Sequence, residues 1–494
     1  MGRHTKVMEK DNIDKRELGY YYTPDFIASY ISKRVIKLHP NGEKVLDPCV
    51  GQEELLEEFF NNRKEVDGMD VFSYKNNYNC YFKQKDFITY YAEKQQQAQS
   101  ESQLKATVDY DYFIANPPYN CHEVNYIRDN KKALQELFKD VGVHNMYSMF
   151  ISAMIDLAKE GAMIGLITYD SFFTAKAHTN LRKKILAECT IHEITMCPND
   201  LFHEQDADVR TSIVILQKGK QFQQDVVVHN RSFSTNDFKT QLEQQLINQS
   251  KMYPLESIIL HGKKDNLEFI IDCPDDIRQL FLNQRIQDKF KCITGISTGN
   301  DRLYISKEQK GNFTIPFYKN PGKNRFYTDN FLYLHKDFLT FDKEIKNFLV
   351  RNKSLLFKSG ISCSSMGVQF TACRLPENVT YGVNANIICE DDDAWWLLAY
   401  LNSELVSYLV RGILIRSNMI TSGYVARIPL LPMTKNDKDV LANLAYDAYE
   451  LAKKKKPYEQ QLTEINDIIH DIANISQQTI KTIQTFNQHI IQNT

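Results

Sequence analysis

A chain of 494 residues, 43% hydrophobic and 25% charged, exceeds what one ordinary core needs, and two soluble globular domains are expected. A formal charge of -2 excludes a uniformly basic nucleic-acid coat while leaving room for one basic face on an otherwise acidic body. The ten cysteines contain no Cys-x-x-Cys pair, Met1-Gly2-Arg3-His4 leads into polar sequence, and no apolar run is long enough to cross a bilayer; reduced thiols, no metal site, no membrane span and a cytoplasmic location are the expectations.

The first predicted helix runs from Asp25 to Ile36 and follows the aromatic stretch Gly19-Tyr20-Tyr21-Tyr22-Thr23-Pro24. Glu43 to Gly51 reads as a short buried strand that ends in a tight loop, Asp47-Pro48-Cys49-Val50-Gly51, ahead of a helix from Leu55 to Phe60. Strand, loop and helix in that order present backbone amides and a helix N-terminus to a nucleotide-like cofactor. Asp70 closes the next strand-like segment, about 20 residues on, where an acid meets ribose hydroxyls in doubly wound folds. A third acid follows in Lys85-Asp86-Phe87-Ile88, and the Gln-rich residues 89–106 are expected to be a solvated surface excursion.

The apolar run Tyr112-Phe113-Ile114-Ala115 leads directly into Asn116-Pro117-Pro118-Tyr119. An aromatic amine has its lone pair delocalised into the ring, so something must polarise it before it can attack an electrophile. The Asn116 side-chain oxygen and the Pro117 carbonyl can accept the two amine hydrogens, and two prolines preorganise those acceptors by fixing φ. Tyr119 offers a flat face for a base removed from its stack. Taken alone, Asn-Pro-Pro is also ordinary turn chemistry after a strand. A helix from Asn145 to near Gly161, a strand Met163–Thr168 and a strand Val209–Leu216 continue the α/β alternation.

The ordered set of segments resembles the gamma class of adenine-specific DNA methyltransferases, the Taq-type group of type II restriction-modification systems, over roughly the whole chain. The resemblance implies S-adenosyl-L-methionine as cofactor, with Tyr22, Thr23 and Pro24 closing over its methionine end. It further implies that Asp47 and Gly51 belong to the cofactor loop, that Asn116 also contacts the cofactor, that Asp70 binds the ribose, and that Asp86 and Phe87 contact the cofactor's adenine. Asn116, Pro117, Pro118 and Tyr119 are the implied catalytic residues. Phe202 is the implied second aromatic, packing on the flipped base opposite Tyr119. Two departures stand out. Gln52-Glu53 follow Gly51 where the family carries a second glycine, so a negative charge is expected near the cofactor's carboxylate, and Glu53→Gly is expected to tighten cofactor binding. Tyr169 replaces a proline of a later strand end.

The texture changes near residue 265, after which come shorter β-like runs with turn signals. The implied fold class is α/β: a Rossmann-like S-adenosylmethionine-dependent methyltransferase domain over residues 1–265, then an α+β target-recognition domain over 266–494 with a helical tail from about residue 437. Candidate DNA contacts are Lys323, Arg325, Arg374, Arg416 and Arg427, with Lys319, Arg411 and Asn418 beside them. Leu441, Leu444, Ala448 and Leu451 form an apolar helix stripe expected to pack in a core. The expected partners are double-stranded DNA and a separate cognate restriction endonuclease, the polar N-terminus leaving no room for a nuclease. The alternatives are a catalytically weak or inactive DNA-binding relative, a modification subunit of a larger restriction complex, and a glutamine methyltransferase, which needs a much shorter chain.

Overall fold

The computed structural model describes residues 21–101, 106–119, 124–205, 209–220, 225–232, 234–243, 251–366, 369–415 and 419–492. The chain divides into two compact units, Met1–Asp272 and Cys273–Thr494. The division falls just beyond the turn at His261–Asn266, because Ile259 pairs with Phe269 across an antiparallel bridge and Phe269 N donates to Phe173 O at 2.9 Å, holding that segment to the first unit.

The first unit is built on a nine-stranded sheet of β1 (Lys44–Asp47), β2 (Glu65–Asp70), β3 (Tyr81–Gln84), β4 (Tyr112–Ala115), β5 (Met163–Tyr169), β6 (Cys189–Met196), β7 (Thr211–Lys218), β8 (Asp225–His229) and β9 (Lys251–Pro254). Their order is β3-β2-β1-β4-β5-β7-β6-β8-β9. The first five are mutually parallel, and β7 runs antiparallel between β5 and β6.

Helices cover both faces, which is why the central strands carry continuous apolar runs. Tyr112 and Ile114 of β4 enter one core with Ile27 and Ile31 of α1 (Asp25–Leu38) and Phe59 of α2 (Glu57–Asn61). Phe113 and Ala115 enter the other, with side chains of α3 (Phe87–Ser100), α4 (Met146–Leu157) and α5 (Thr179–Glu188). Helix α3 replaces most of the expected surface excursion. Asp86 caps it by accepting from Ile88 N and Thr89 N, and Phe87, Ile88 and Tyr91 give it a buried face, so Gln96, Gln97 and Gln99 are exposed positions of a packed helix and Gln95 is half-buried. Asn145 caps α4 in the same way through Ser148 N, and every residue of α4 is buried.

The second unit contains two four-stranded sheets of short strands, one of them Lys291–Ile293, Asn386–Ile388, Gly360–Cys363 and Ala372–Leu375, all antiparallel. Three long helices follow, Lys435–Lys453, Glu459–Ala473 and Gln477–Gln492. The first opens with a capping box between Thr434 and Asp437 and buries Leu441, Ala445 and Ala448. Among the described residues no helix is long and apolar enough to cross a membrane.

Candidate active site

The strand order reverses between β1 and β4, and in open parallel sheets that switch point, at the carboxyl ends, is where a binding crevice forms. Asp47 ends β1, Asp70 ends β2, and Asn116 follows β4. The sheet therefore gathers at one edge residues that lie far apart in sequence.

Asp47 is 1% exposed and accepts from Cys49 N at 3.0 Å. Asp70 accepts from Gly51 N at 3.0 Å through one oxygen and from Phe72 N at 3.2 Å through the other. Gly51 has φ of 52°, the left-handed region that glycine enters without penalty and that bends the loop under Asp70. Burial, with the charge of Glu54 added, pushes the Asp70 carboxyl up to about 6. Burial also raises Asp47 well above the ordinary range, and Glu54 and Asp70 raise it further. Carboxylates held together in this way favour a ligand that brings hydroxyl donors or positive charge.

Glu53 does not add a free charge to this crevice. Its φ of 72° costs roughly 1–2 kcal/mol in a residue with a Cβ. That conformation turns its carboxylate into the loop between β2 and β3. There it accepts from Asn79 N at 2.7 Å, Cys80 N at 2.8 Å and Asn79 Nδ2 at 3.3 Å, and it pairs with Lys75. Burial opposes its charge, yet Lys75 and the Cys80 amide together hold the carboxyl below its ordinary value. Tyr78 of the same loop donates to Gly51 O at 3.0 Å, a second tie between the two loops. The expected charge near a cofactor carboxylate is thus replaced by a neutralised anchor between loops.

At the end of β4, Asn116 Nδ2 donates to Tyr21 O at 2.8 Å and to Thr23 Oγ1 at 2.9 Å. Two acceptors on one side fix the amide, leaving Oδ1 to accept, here from Tyr119 OH at 2.6 Å. Cys49 Sγ lies 3.4 Å from Asn116 O, joining this loop to that of β1. Tyr119 is 7% exposed, and burial raises its phenol so that it stays neutral. Pro117 is buried and Pro118 half-buried. Pro24 begins α1, its carbonyl accepting from Ile27 N and Ala28 N. Gln205 accepts from Tyr22 N and donates to Tyr22 O, both at 2.8 Å, and Tyr22 OH donates to Asp25.

Aromatic rings line the same place. Tyr21 stacks on Tyr119 with centroids 5.6 Å apart and 25° between planes, and meets Phe202 edge-on at 6.1 Å and 61°. Tyr169 lies against Tyr119 at 4.5 Å. Phe202 is fully buried. Sequence reasoning did not single out Tyr21 or Gln205, and it noted Tyr169 only as a departure at a strand end. The tyrosine run was a signal for the first, while nothing local pointed to Gln205.

Other expected positions are engaged within their own units. Phe87 is buried against Phe150 at 5.1 Å, so of that pair only Asp86 is partly accessible, and its carboxylate also accepts from Tyr126 OH at 2.9 Å. Arg325 is bonded to Asn402 O and Gln369 Oε1, and burial lowers its pKa. Arg374 binds Gly360 O, Leu375 O and Asp391, and Arg427 is 3% exposed. These three guanidinium groups serve the second unit's own packing. Burial likewise lowers the pKa of Arg411. Lys323 is exposed, and so is Lys319, which pairs with Asp301. Arg416 and Asn418 lie outside the described residues.

Residues 7–257 match the family described as N-6 DNA Methylase. The chain is 22% identical over 370 residues to a protein of Methanocaldococcus jannaschii described as a type II restriction enzyme and methyltransferase, a match covering 70% of this chain and 29% of that protein. It is 26% identical over 213 residues to the type II methyltransferase M.BanIII of Aneurinibacillus aneurinilyticus, covering 38% of this chain and 37% of that one. The chain thus spans well under half the length of these curated relatives. Among solved structures, the DrdV–DNA complex aligns with a TM-score of 0.52 at 12% identity, covering 88% of this chain and 58% of that one. A nuclease-deletion mutant of the Type ISP restriction-modification enzyme LlaGI with a DNA substrate mimic also gives 0.52 at 12% identity, over 87% and 55%. At such identities the likeness is one of fold.

Proposed function

The chain belongs to the N-6 DNA methylase family, and from that premise we propose that it is an S-adenosylmethionine-dependent DNA methyltransferase of the gamma, Taq-type class. Its substrate is the exocyclic N6 amine of an adenine turned out of duplex DNA, and it serves as the modification half of a restriction-modification system. The observation that carries this reading is Asn116 at the end of β4, its amide fixed by Tyr21 O and Thr23 Oγ1 so that Oδ1 is presented beside Tyr119.

Bound at the β1 and β2 ends, S-adenosyl-L-methionine supplies an electrophilic methyl group on a sulfonium. The carboxylate set suits that cofactor: Asp70 would accept ribose hydroxyls, and Asp47 and Glu54 favour positive charge nearby. Tyr22, Thr23, Pro24 and Gly51 would close the crevice around it. Asn116 Oδ1 and the Pro117 carbonyl accept the two amine hydrogens as the nitrogen becomes tetrahedral, while Tyr119 supports the base face and Phe202 faces it from the other side. Tyr119 OH gives up Oδ1 when the amine arrives. The amine proton leaves after transfer, when the nitrogen has become acidic. The second unit acts as the target-recognition part, with the exposed Lys323 and Lys319 as phosphate contacts and a separate endonuclease as partner. Glu53, paired with Lys75 and turned into the loop between β2 and β3, supplies no argument for the catalytically inactive alternative.

Expression in a methylation-free host followed by single-molecule sequencing tests the proposal. Methylated adenine within one recurring motif is the expected result; unmodified DNA with soluble protein present contradicts it.

Two cofactor predictions follow from the geometry. Glu53→Gly relieves an unfavourable φ but releases the loop between β2 and β3, so cofactor affinity should fall roughly tenfold, about 1.4 kcal/mol. That reverses the expectation from sequence, and calorimetry showing tighter binding would refute the anchor. The second concerns Asp70, whose carboxyl, near 6 in the unliganded protein, is favoured in its charged form by ribose hydroxyl donors. Affinity should therefore be full above about pH 7 and fall as pH drops through 6, approaching a tenfold loss per unit. Asp70→Asn should flatten that profile. The same raised pKa stabilises the unliganded fold below the ordinary aspartate value, a contribution lost as pH rises through about 6.

A further inference from the structure

The carbonyl of Tyr21 helps to fix Asn116, while its side chain has no part in the proposed reaction; yet both Tyr119 and Phe202 touch its ring. Those are the two rings assigned to the faces of the target base. We propose that Tyr21 is an aromatic placeholder, filling the target-base slot in the DNA-free protein and withdrawing when the base enters. The inference rests on the reading of Asn116–Tyr119 as the site of the target amine.

Three features support it. A phenol ring and a purine are both flat and aromatic, and Tyr21 lies nearly parallel to Tyr119, the stacking arrangement a captured base would take. Phe202 is fully buried and Tyr119 only 7% exposed, so with Tyr21 in place neither offers an open face to an incoming base. The acceptor for the target amine is also occupied, since Tyr119 OH donates to Asn116 Oδ1 at 2.6 Å.

The bonds that orient Asn116 and grip Tyr22 run through backbone groups, so they do not depend on where the Tyr21 ring lies. Asn116 holds Tyr21 through the backbone carbonyl rather than the side chain, and Gln205 grips both backbone groups of Tyr22. The Tyr21 ring is half-buried and can leave by rotation about its own side-chain torsions while the carbonyl continues to orient Asn116. Tyr21→Ala keeps that carbonyl and removes only the ring.

The test uses the full chain and a duplex with 2-aminopurine at the adenine that sequencing shows to be methylated. Removing the placeholder should make base capture easier: Tyr21→Ala should raise the rate of fluorescence increase at least about fivefold and lower the KM for DNA by a similar factor. Tyr21→Phe should behave as wild type. Slower capture or a higher KM in Tyr21→Ala, with cofactor affinity retained, would show that Tyr21 supports the base instead and would overturn the proposal; unchanged capture would overturn it equally. If Tyr21→Ala fails to fold, Tyr21→Leu is judged by the same criteria. A wild-type protein that captures no base refutes the reading of the site itself, whatever Tyr21 does.

Discussion

Asn116→Ala is expected to leave a protein that binds S-adenosylmethionine and duplex DNA but transfers methyl groups more slowly by at least about 10²–10³-fold. On the proposed mechanism the loss falls on turnover, because Oδ1 would accept from an amine whose hydrogens become stronger donors as positive charge develops, and the bond would be worth most in the transition state. The variant also removes Nδ2, which holds Tyr21 O and Thr23 Oγ1. Asn116→Asp separates the two roles: it keeps an acceptor beside Tyr119 and loses both donor bonds, and its activity should lie between wild type and alanine. Filter binding and calorimetry alongside single-turnover rates read the three quantities. Equal loss of cofactor binding, DNA binding and turnover in Asn116→Ala would contradict the assignment.

Tyr119→Ala is expected to lose about 1–3 kcal/mol of base stacking, a fall of roughly 5- to 150-fold in kcat/KM, with activity surviving. Tyr119→Phe keeps the ring and its contacts with Tyr21 and Tyr169 while removing the hydroxyl that occupies Asn116 Oδ1. Its turnover should stay within a few-fold of wild type, since that hydrogen bond belongs to the state without DNA. A phenylalanine variant as impaired as the alanine variant would give the hydroxyl, rather than the ring, the larger role.

The central strands β4 and β5 were legible because strands buried on both faces carry unbroken apolar runs, as Tyr112–Ala115 does, whereas the largely exposed β3 offered no such run. The insertion of β7 between β5 and β6 was not, since pairing of Thr211–Lys218 with strands on both sides is a long-range choice that no local pattern announces. Helix α3 was hidden by its glutamines, although Asp86 as cap and Phe87, Ile88 and Tyr91 as a buried face were present in the sequence. Asp47, Asp70, Asn116 and Tyr119 could be picked out because each sits at a strand end. Gln205 and Tyr21 reach the same place only through packing across most of the unit. Glu53 shows the limit of reading charge alone: its sign was plain, but its partners Lys75, Asn79 and Cys80 depend on a loop conformation. Arg325 and Arg374 make the same point for cations, because nothing local distinguishes an arginine that caps carbonyls inside a unit from one that faces a phosphate.

The most direct test of the central claim is to incubate the purified protein with methyl-labelled S-adenosylmethionine and duplex DNA, then digest the DNA and identify the labelled nucleoside by mass spectrometry, beside Asn116→Ala. The account predicts label in N6-methyladenine from wild type and essentially none from the variant. Label in a methylated cytosine, no labelled nucleoside from wild type, or equal label from both proteins would contradict it.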